Sequence, residues 1–85
     1  NIVGIGSEKC DAIGSGRVSK EDFAIWVEGF WSGLNYVAAA SDQKQSLADS
    51  ALMMSEVEKL CQQKPSQIVA TAAWNAFLAL NESSR

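Results

Sequence analysis

The amino-acid sequence predicts an all-α fold, a single small domain of three or four helices that spans residues 1–85. Apolar residues recur at steps of three and four in three separate stretches, which is the spacing of one helix face. No segment alternates apolar and polar residues over more than a few positions, so strands are not expected. A chain of 85 residues builds only a small core, and a covalent cross-link would add substantially to its stability.

The N-terminal residues are expected to form an extended arm followed by a short helix. The arm covers residues 1–6, which are apolar and interrupted by glycine. Ser7 is a suitable N-cap for a helix over residues 7–13, and Gly14 would end that helix.

The longest predicted helix runs from Ser19 to Ala40 and holds most of the aromatic residues. The Ser19 hydroxyl can accept a backbone N–H of the first turn, so Ser19 is the expected N-cap. Glu21 and Asp22 suit the positive end of the helix dipole. The predicted core face, with Trp26 beside it, consists of Phe23, Val27, Phe30, Leu34 and Val37.

A second long helix is predicted over residues 47–63, after a linker at 41–46 that contains no apolar residue. Glu56, Glu58 and Lys59 lie on its other faces and are expected in solvent. Its inward residues, with Leu52 at the edge, are Met53, Val57, Leu60 and Cys61.

The last helix is predicted to begin at Pro65, because proline suits the first helical position, and to continue to Leu80. Residues 81–85 are polar and are expected to form a frayed tail. Its apolar residues are Ile68, Val69, Ala72, Ala73, Ala76, Ala79 and Leu80.

The chain has two cysteines, Cys10 and Cys61, and we expect a disulfide between them. An even cysteine count in a small domain fits an oxidising compartment. Closing so long a loop would stabilise the fold by about 4 kcal/mol in the chain-entropy account. The alternative is a pair of buried free thiols. Their spacing contains no CxxC motif of the zinc or redox type.

The sequence starts at Asn1 rather than at Met, and this start together with the cysteine pair predicts a secreted protein whose signal peptide has been removed. A shortened recombinant chain is the alternative. No run of 18 apolar residues is present, so no membrane span is expected.

Few residues could carry chemistry. The chain has no histidine, which removes the usual general base, the Ser–His and Cys–His pairs and the commonest metal ligand. Glu21, Asp22 and Glu28 are the densest acids, and acids are expected at a helix start for structural reasons. The seven basic residues are scattered, and no phosphate loop or metal-ligand spacing occurs. We therefore predict no enzyme activity, no cofactor, no metal site and no nucleic-acid partner.

Gly29 and Gly33 form a GxxxG pattern inside the long helix, where each glycine costs about 1 kcal/mol relative to alanine. Close approach of another backbone would offset that cost, and the neighbour is either an internal helix or another protein chain.

A helical wheel places apolar residues opposite the core faces of the longest and the last helix, which leaves two possibilities. Either a centrally placed helix buries both of its sides, or the outward residues form a protein interface. For the interface we expect a homodimer, and its predicted residues are Ile25, Gly29, Tyr36, Trp74 and Leu78.

Two short stretches resemble a known group of small secreted proteobacterial helical proteins. Residues 26–35 are similar to the W-V-x-G-[FY]-x-S-G-x-N stretch of that group. Residues 61–65, CQQKP, are similar to its second-cysteine stretch, and Cys10 supplies the upstream cysteine. The resemblance is to the HdeA-like fold and to the Rap/Tai immunity proteins of type VI secretion.

This resemblance implies a periplasmic helical domain with one disulfide, often dimeric. The immunity proteins block peptidoglycan-cleaving amidases that are injected by other cells, so the expected partner is a secreted cell-wall hydrolase. The alternative function is that of an acid-stress periplasmic chaperone, as in HdeA itself. The chain lacks the lysine-rich ends associated with the acid chaperones, which favours the immunity function.

Overall fold

Four α-helices and one short 3₁₀ helix make up the computed structural model, which describes residues 4–41 and 49–83. No strand occurs within these residues, where the β-type pairing is an isolated antiparallel bridge between Lys9 and Ile68. The predicted all-α fold class is therefore confirmed. The helices are the 3₁₀ helix Gly4–Ser7, α1 Asp11–Gly14, α2 Lys20–Ala40, α3 Ser50–Gln63 and α4 Val69–Ser83.

Helix α2 begins and ends close to the predicted positions. The Ser19 hydroxyl accepts the backbone N–H of Asp22 at 3.1 Å, so Ser19 is the N-cap, as predicted. At the other end the N–H of Ser41 donates to the carbonyl of Val37 at 3.0 Å. Between these two ends α2 is one continuous helix of 21 residues.

The N-terminal region differs from the prediction. An extended arm over residues 1–6 is wrong for residues 4–6, which belong to the 3₁₀ helix, while residues 1–3 lie outside the described residues. Gly4 starts this helix at φ +74°, a conformation that glycine adopts without strain, and its carbonyl accepts the Ser7 hydroxyl at 2.9 Å. Ile5 is half-buried and packs against the core.

The short helix also begins later than predicted, at Asp11 rather than at Ser7. The main chain before it pairs with residues that precede α4. The N–H of Cys10 donates to the Gln67 carbonyl at 2.8 Å, and the N–H of Val69 donates to the Glu8 carbonyl at 2.8 Å. These long-range hydrogen bonds replace the helical ones that residues 7–10 would otherwise form.

Helices α3 and α4 are present with shifted starts. Asp49 caps α3, because its carboxylate accepts the Leu52 N–H at 2.8 Å. The predicted start at Leu47 and the linker after Ser41 lie outside the described residues. Pro65 is not the first residue of α4 but lies in a turn, where its carbonyl accepts the Asp11 N–H at 3.1 Å.

The predicted frayed tail over residues 81–85 is wrong for residues 81–83. Helix α4 continues to Ser83, so residues 81–83 extend it, and residues 84–85 lie outside the described part of the chain.

The core lies where α2, α3 and α4 meet. Helix α4 contributes mainly small buried residues, among them Ala72, Ala73 and Ala76, and these let its backbone come close to its neighbours. Phe77 adds an edge-to-face contact with Trp31, with ring centroids 5.2 Å apart. The largest fully buried side chains are Trp31, Phe23, Val27, Val57 and Val69.

The predicted core face of α2 is correct at its start and wrong at its end. Phe23 and Val27 are buried, but Val37 is 61% exposed and Trp31 is only 1% exposed. The prediction followed a seven-residue repeat, whereas a straight helix has 3.6 residues per turn and drifts from that repeat. This drift places Val37 about 40° from Phe23 on the side away from Val27, whereas the buried stripe continues through Trp31 to Ala38.

The expected disulfide between Cys10 and Cys61 is present, with the two Cα atoms 5.3 Å apart. It joins the N-cap of α1 to the last turn of α3. Next to it, the side-chain amide of Gln67 donates to the Leu60 carbonyl at 2.8 Å. The start of the domain, the end of α3 and the approach to α4 are thus tied together at one end of the bundle.

Candidate protein interface

One side of α2 carries exposed apolar and glycine residues over most of its length. Ile25 is 64% exposed and Tyr36 is 78% exposed, and both lie more than 100° around the helix from Trp31. We call this side the outer face of α2 and define it as Ile25, Gly29, Gly33 and Tyr36, while the exposed Val37 lies between this face and the buried stripe, about 120° around the helix from Ile25.

The two glycines of the outer face stand open. A Cβ atom built on Gly29 or on Gly33 would meet, apart from its chain neighbours and the adjacent backbone of its own helix, no atom of the described residues within 4 Å. The expectation that an internal helix packs closely on them is therefore not met within the described chain. The other explanation, approach by a separate protein chain, is the one that this geometry favours.

The residues that define the outer face carry no charge. Charged side chains lie near its N-terminal end, where Asp22 is seven residues before Gly29 on the same line and Glu28 is roughly 60° around the helix from Ile25. Beyond Glu28, α2 has no charged residue. Large exposed apolar surfaces are uncommon on monomeric proteins and mark sites where another protein binds. Tyr36 suits such a site, because tyrosine buries much apolar area and keeps a polar tip.

The other two predicted interface residues lie on α4 and are less exposed. Trp74 is 44% exposed and Leu78 is 41% exposed. The Trp74 ring stacks on Phe77 with centroids 6.1 Å apart, and Phe77 in turn contacts Trp31. Trp74 thus covers one edge of the core as well as facing solvent.

The five predicted interface residues fall into two groups. Ile25, Gly29 and Tyr36 share the outer face of α2. The ring contacts of Trp74 lead instead to Trp31, which is about 120° around α2 from Ile25. Trp74 and Leu78 therefore belong to a second exposed area on α4, and the outer face of α2 is the stronger candidate interface.

Sequence reasoning missed two exposed apolar residues. Val37 is exposed although it was assigned to the core, and Leu52 on α3 is half exposed. At roughly 100° per residue Val37 lies about 40° from Phe23, the same angle as the buried Val27 on the other side, so helix counting alone does not identify Val37 as exposed. The position of Leu52 at the edge of the predicted inward face already indicated partial exposure.

The described residues contain no group of three or more histidine, cysteine or acidic side chains that could hold a metal ion. Over the same residues, no helix has the length and apolar content required to cross a bilayer. The charged pairs that the structure does show, Arg17 with Glu8 and Lys59 with Glu56, are ion pairs between surface side chains.

No family model, no curated protein and no solved structure matches this chain.

Proposed function

We propose that this chain is a non-enzymatic protein-binding domain of the bacterial periplasm, and that it serves as an immunity protein against a type VI secreted peptidoglycan amidase. The observation that carries the protein-binding part is the outer face of α2, which is exposed, uncharged and open at both glycines. The choice of partner rests on the motif resemblance at residues 26–35 and 61–65.

A preformed surface suits an inhibitor of this kind. A partner loses less free energy to ordering when the surface that it meets is already rigid. The outer face lies on one continuous helix with a hydrogen-bonded N-cap, and its opposite side is packed into the core through Phe23, Val27 and Trp31. Open glycines allow the partner's backbone to approach the helix axis closely.

The same face also supports the proposed homodimer. A two-fold dimer places one surface against its own copy, so Gly29 and Gly33 of two α2 helices would cross at close range. In this proposal the dimer forms when no hydrolase is present, and the hydrolase replaces the second copy. The two complexes then compete for one surface, which makes them separable by titration.

Binding to the product of the gene that neighbours this chain's own gene tests the proposal, which predicts that this product is a cell-wall hydrolase. Purified chain and purified hydrolase are mixed, and affinity is measured by calorimetry together with the loss of peptidoglycan cleavage. We expect submicromolar binding, complete inhibition at equal molar amounts, and a loss of at least about 100-fold in affinity for Tyr36→Lys, since a charge is buried without a partner.

Ser55→Lys is the matched control, because Ser55 is exposed on α3 and away from the outer face. A neighbouring product that is not a hydrolase, together with no binding at micromolar strength, would overturn the immunity function. Equal affinities for the two lysine variants would overturn the assignment of the outer face.

An aggregation assay at pH 2–3 separates this function from that of an acid chaperone. For an immunity protein we expect no protection of an unfolding client at that pH beyond the protection given by an unrelated protein of equal size. Strong protection that arises only in acid would replace the immunity function by the chaperone function.

A further inference from the structure

A cleft of about 500 Å³ opens between α1, the first turn of α2 and α3, at the disulfide end of the bundle. Its volume lies within the range of roughly 300–1,000 Å³ that small-molecule sites occupy. Phe23 and the Cys10–Cys61 disulfide lie beneath it and are almost fully buried. Ile13 and Pro65 supply accessible apolar surface in the cleft.

The walls of the cleft are held in place by bonds already described. The disulfide joins α1 to α3, and the N–H of Asp11 holds the carbonyl of Pro65 at 3.1 Å. Lys20 sits in the first turn of α2, which the Ser19 cap fixes. Because these bonds already fix the walls of the cleft, binding of a ligand costs little conformational entropy of the protein.

Three charged side chains line the same cleft, and they are Asp11, Lys20 and Glu58. The ion pairs within the described residues are Arg17–Glu8 and Lys59–Glu56, so none of these three charges is paired to another described residue. Two carboxylates and one ammonium group around this apolar surface carry a net charge of −1. A complementary ligand therefore combines an aliphatic stem, a carboxylate and at least one cationic group.

We propose that this cleft binds a basic amino acid of the lysine type, either free or as the C-terminal residue of a peptide. Lys20 meets the ligand carboxylate, and Asp11 and Glu58 meet its cationic side. The aliphatic stem lies against Ile13 and Pro65, where part of it is removed from water. This site shares no residue with the outer face of α2 and does not depend on the function proposed above.

Titration of the oxidised 85-residue chain with L-lysine, followed by amide chemical shifts in ¹⁵N NMR spectra at low salt, tests the proposal. We expect saturable shifts at Asp11, Phe23 and Cys61 with a Kd on the order of 1 mM, as suits a ligand of so few atoms. Norleucine has the same stem without the terminal ammonium group, and it should bind about tenfold more weakly, because one charge-assisted contact is lost.

Glu58→Gln should remove most of the difference between lysine and norleucine, and Lys20→Met should weaken both ligands. Glu28→Gln is the control, since it removes the same charge from an exposed position outside the cleft. Far-ultraviolet circular dichroism verifies that each variant is folded. Equal binding of lysine and norleucine, or equal effects of Glu58→Gln and Glu28→Gln, would overturn the proposal.

The peptide Gly-Gly-Lys distinguishes the two sources of the ligand. Tighter binding of the peptide than of lysine assigns the site to peptide C-termini, and tighter binding of lysine assigns it to the free amino acid. Tyr36→Lys should leave the lysine titration unchanged, so a failure here and a failure of the hydrolase experiment are distinguishable.

Discussion

The two sides of α2 are both apolar, yet one is buried in the folded chain and the other is exposed. Phe23, Val27 and Trp31 are buried against α3 and α4, whereas Ile25 and Tyr36 are mostly in solvent. Residue type does not separate them, because each side holds an aromatic and an aliphatic residue. What separates them is the presence of a packing partner within the described chain, so an apolar helix side can belong either to a core or to an interface.

The largest change in the free energy of unfolding is expected for a residue on the buried side of α2. Trp31→Ala should lower the free energy of unfolding by about 3–5 kcal/mol, because a fully buried indole leaves a cavity between α2 and α4. Urea denaturation followed by circular dichroism measures the change.

Trp31→Phe is the informative companion to that variant. The indole N–H of Trp31 is buried without a hydrogen-bond partner among the described residues, and such a group costs about 1–3 kcal/mol. Phenylalanine loses apolar area but removes this cost, so we expect a net change within about 1 kcal/mol. A loss as large as that of alanine would show that the N–H has a partner in the folded protein.

Phe30→Ala tests a residue at the border between the buried and the exposed side of α2. Phe30 is half-buried and stacks on Trp26 with ring centroids 5.0 Å apart, so its loss should cost about 1–2 kcal/mol. The same denaturation experiment applies. A cost of 4 kcal/mol or more would place Phe30 in the core, as its heptad position in the sequence predicts.

Gly33→Ala should raise the free energy of unfolding rather than lower it. Apart from its chain neighbours and the adjacent backbone of its own helix, its Cβ would meet no described atom within 4 Å, and alanine is favoured over glycine inside a helix, so the isolated fold should gain about 0.5–1 kcal/mol. Binding to the partner and formation of the dimer should both weaken. Light scattering at low micromolar concentration and denaturation together measure the two effects, and a destabilised monomer would contradict the open position of Gly33.

The smallest effect on stability is expected for Tyr36→Lys. An exposed substitution away from caps and ion pairs usually changes the free energy of unfolding by no more than about 0.5 kcal/mol. The proposed dimer should nevertheless dissociate, since the lysines of the two copies would face each other in a two-fold interface. Sedimentation velocity measures the oligomeric state, and a variant that dimerises like the wild type would move the dimer contact elsewhere, for example to Trp74.

Helix existence, the Ser19 cap and the disulfide were predictable because each depends on local signals or on cysteine count. The helix boundaries that were predicted wrongly depend on long-range contacts. Residues near Cys10 pair with the chain before Val69, and no periodicity in the sequence reports that pairing. In the same way, Pro65 is compatible with a helix start, but its carbonyl is used by Asp11.

The outer face was predictable in part. The wheel identified Ile25, Gly29 and Tyr36 from their angle alone, and all three are exposed. It grouped them with Trp74, because a wheel gives directions within one helix and says nothing about how two helices are oriented. The cleft at the disulfide was not predictable, since it forms where α3 lies beside α1 and the start of α2, and the sequence places α3 far from both.

The disulfide divides the covalent chain into a closed ring and two tails, residues 1–9 and 62–85. The ring runs from Cys10 to Cys61 and includes α1, α2 and most of α3, while α4 alone among the described α-helices lies wholly in the C-terminal tail. A single protease cut within the ring leaves two fragments joined by sulfur, which separate on a gel only after reduction. A single cut before Val69 instead frees α4, so the helix that covers Trp31 stays on the domain through packing and hydrogen bonds alone.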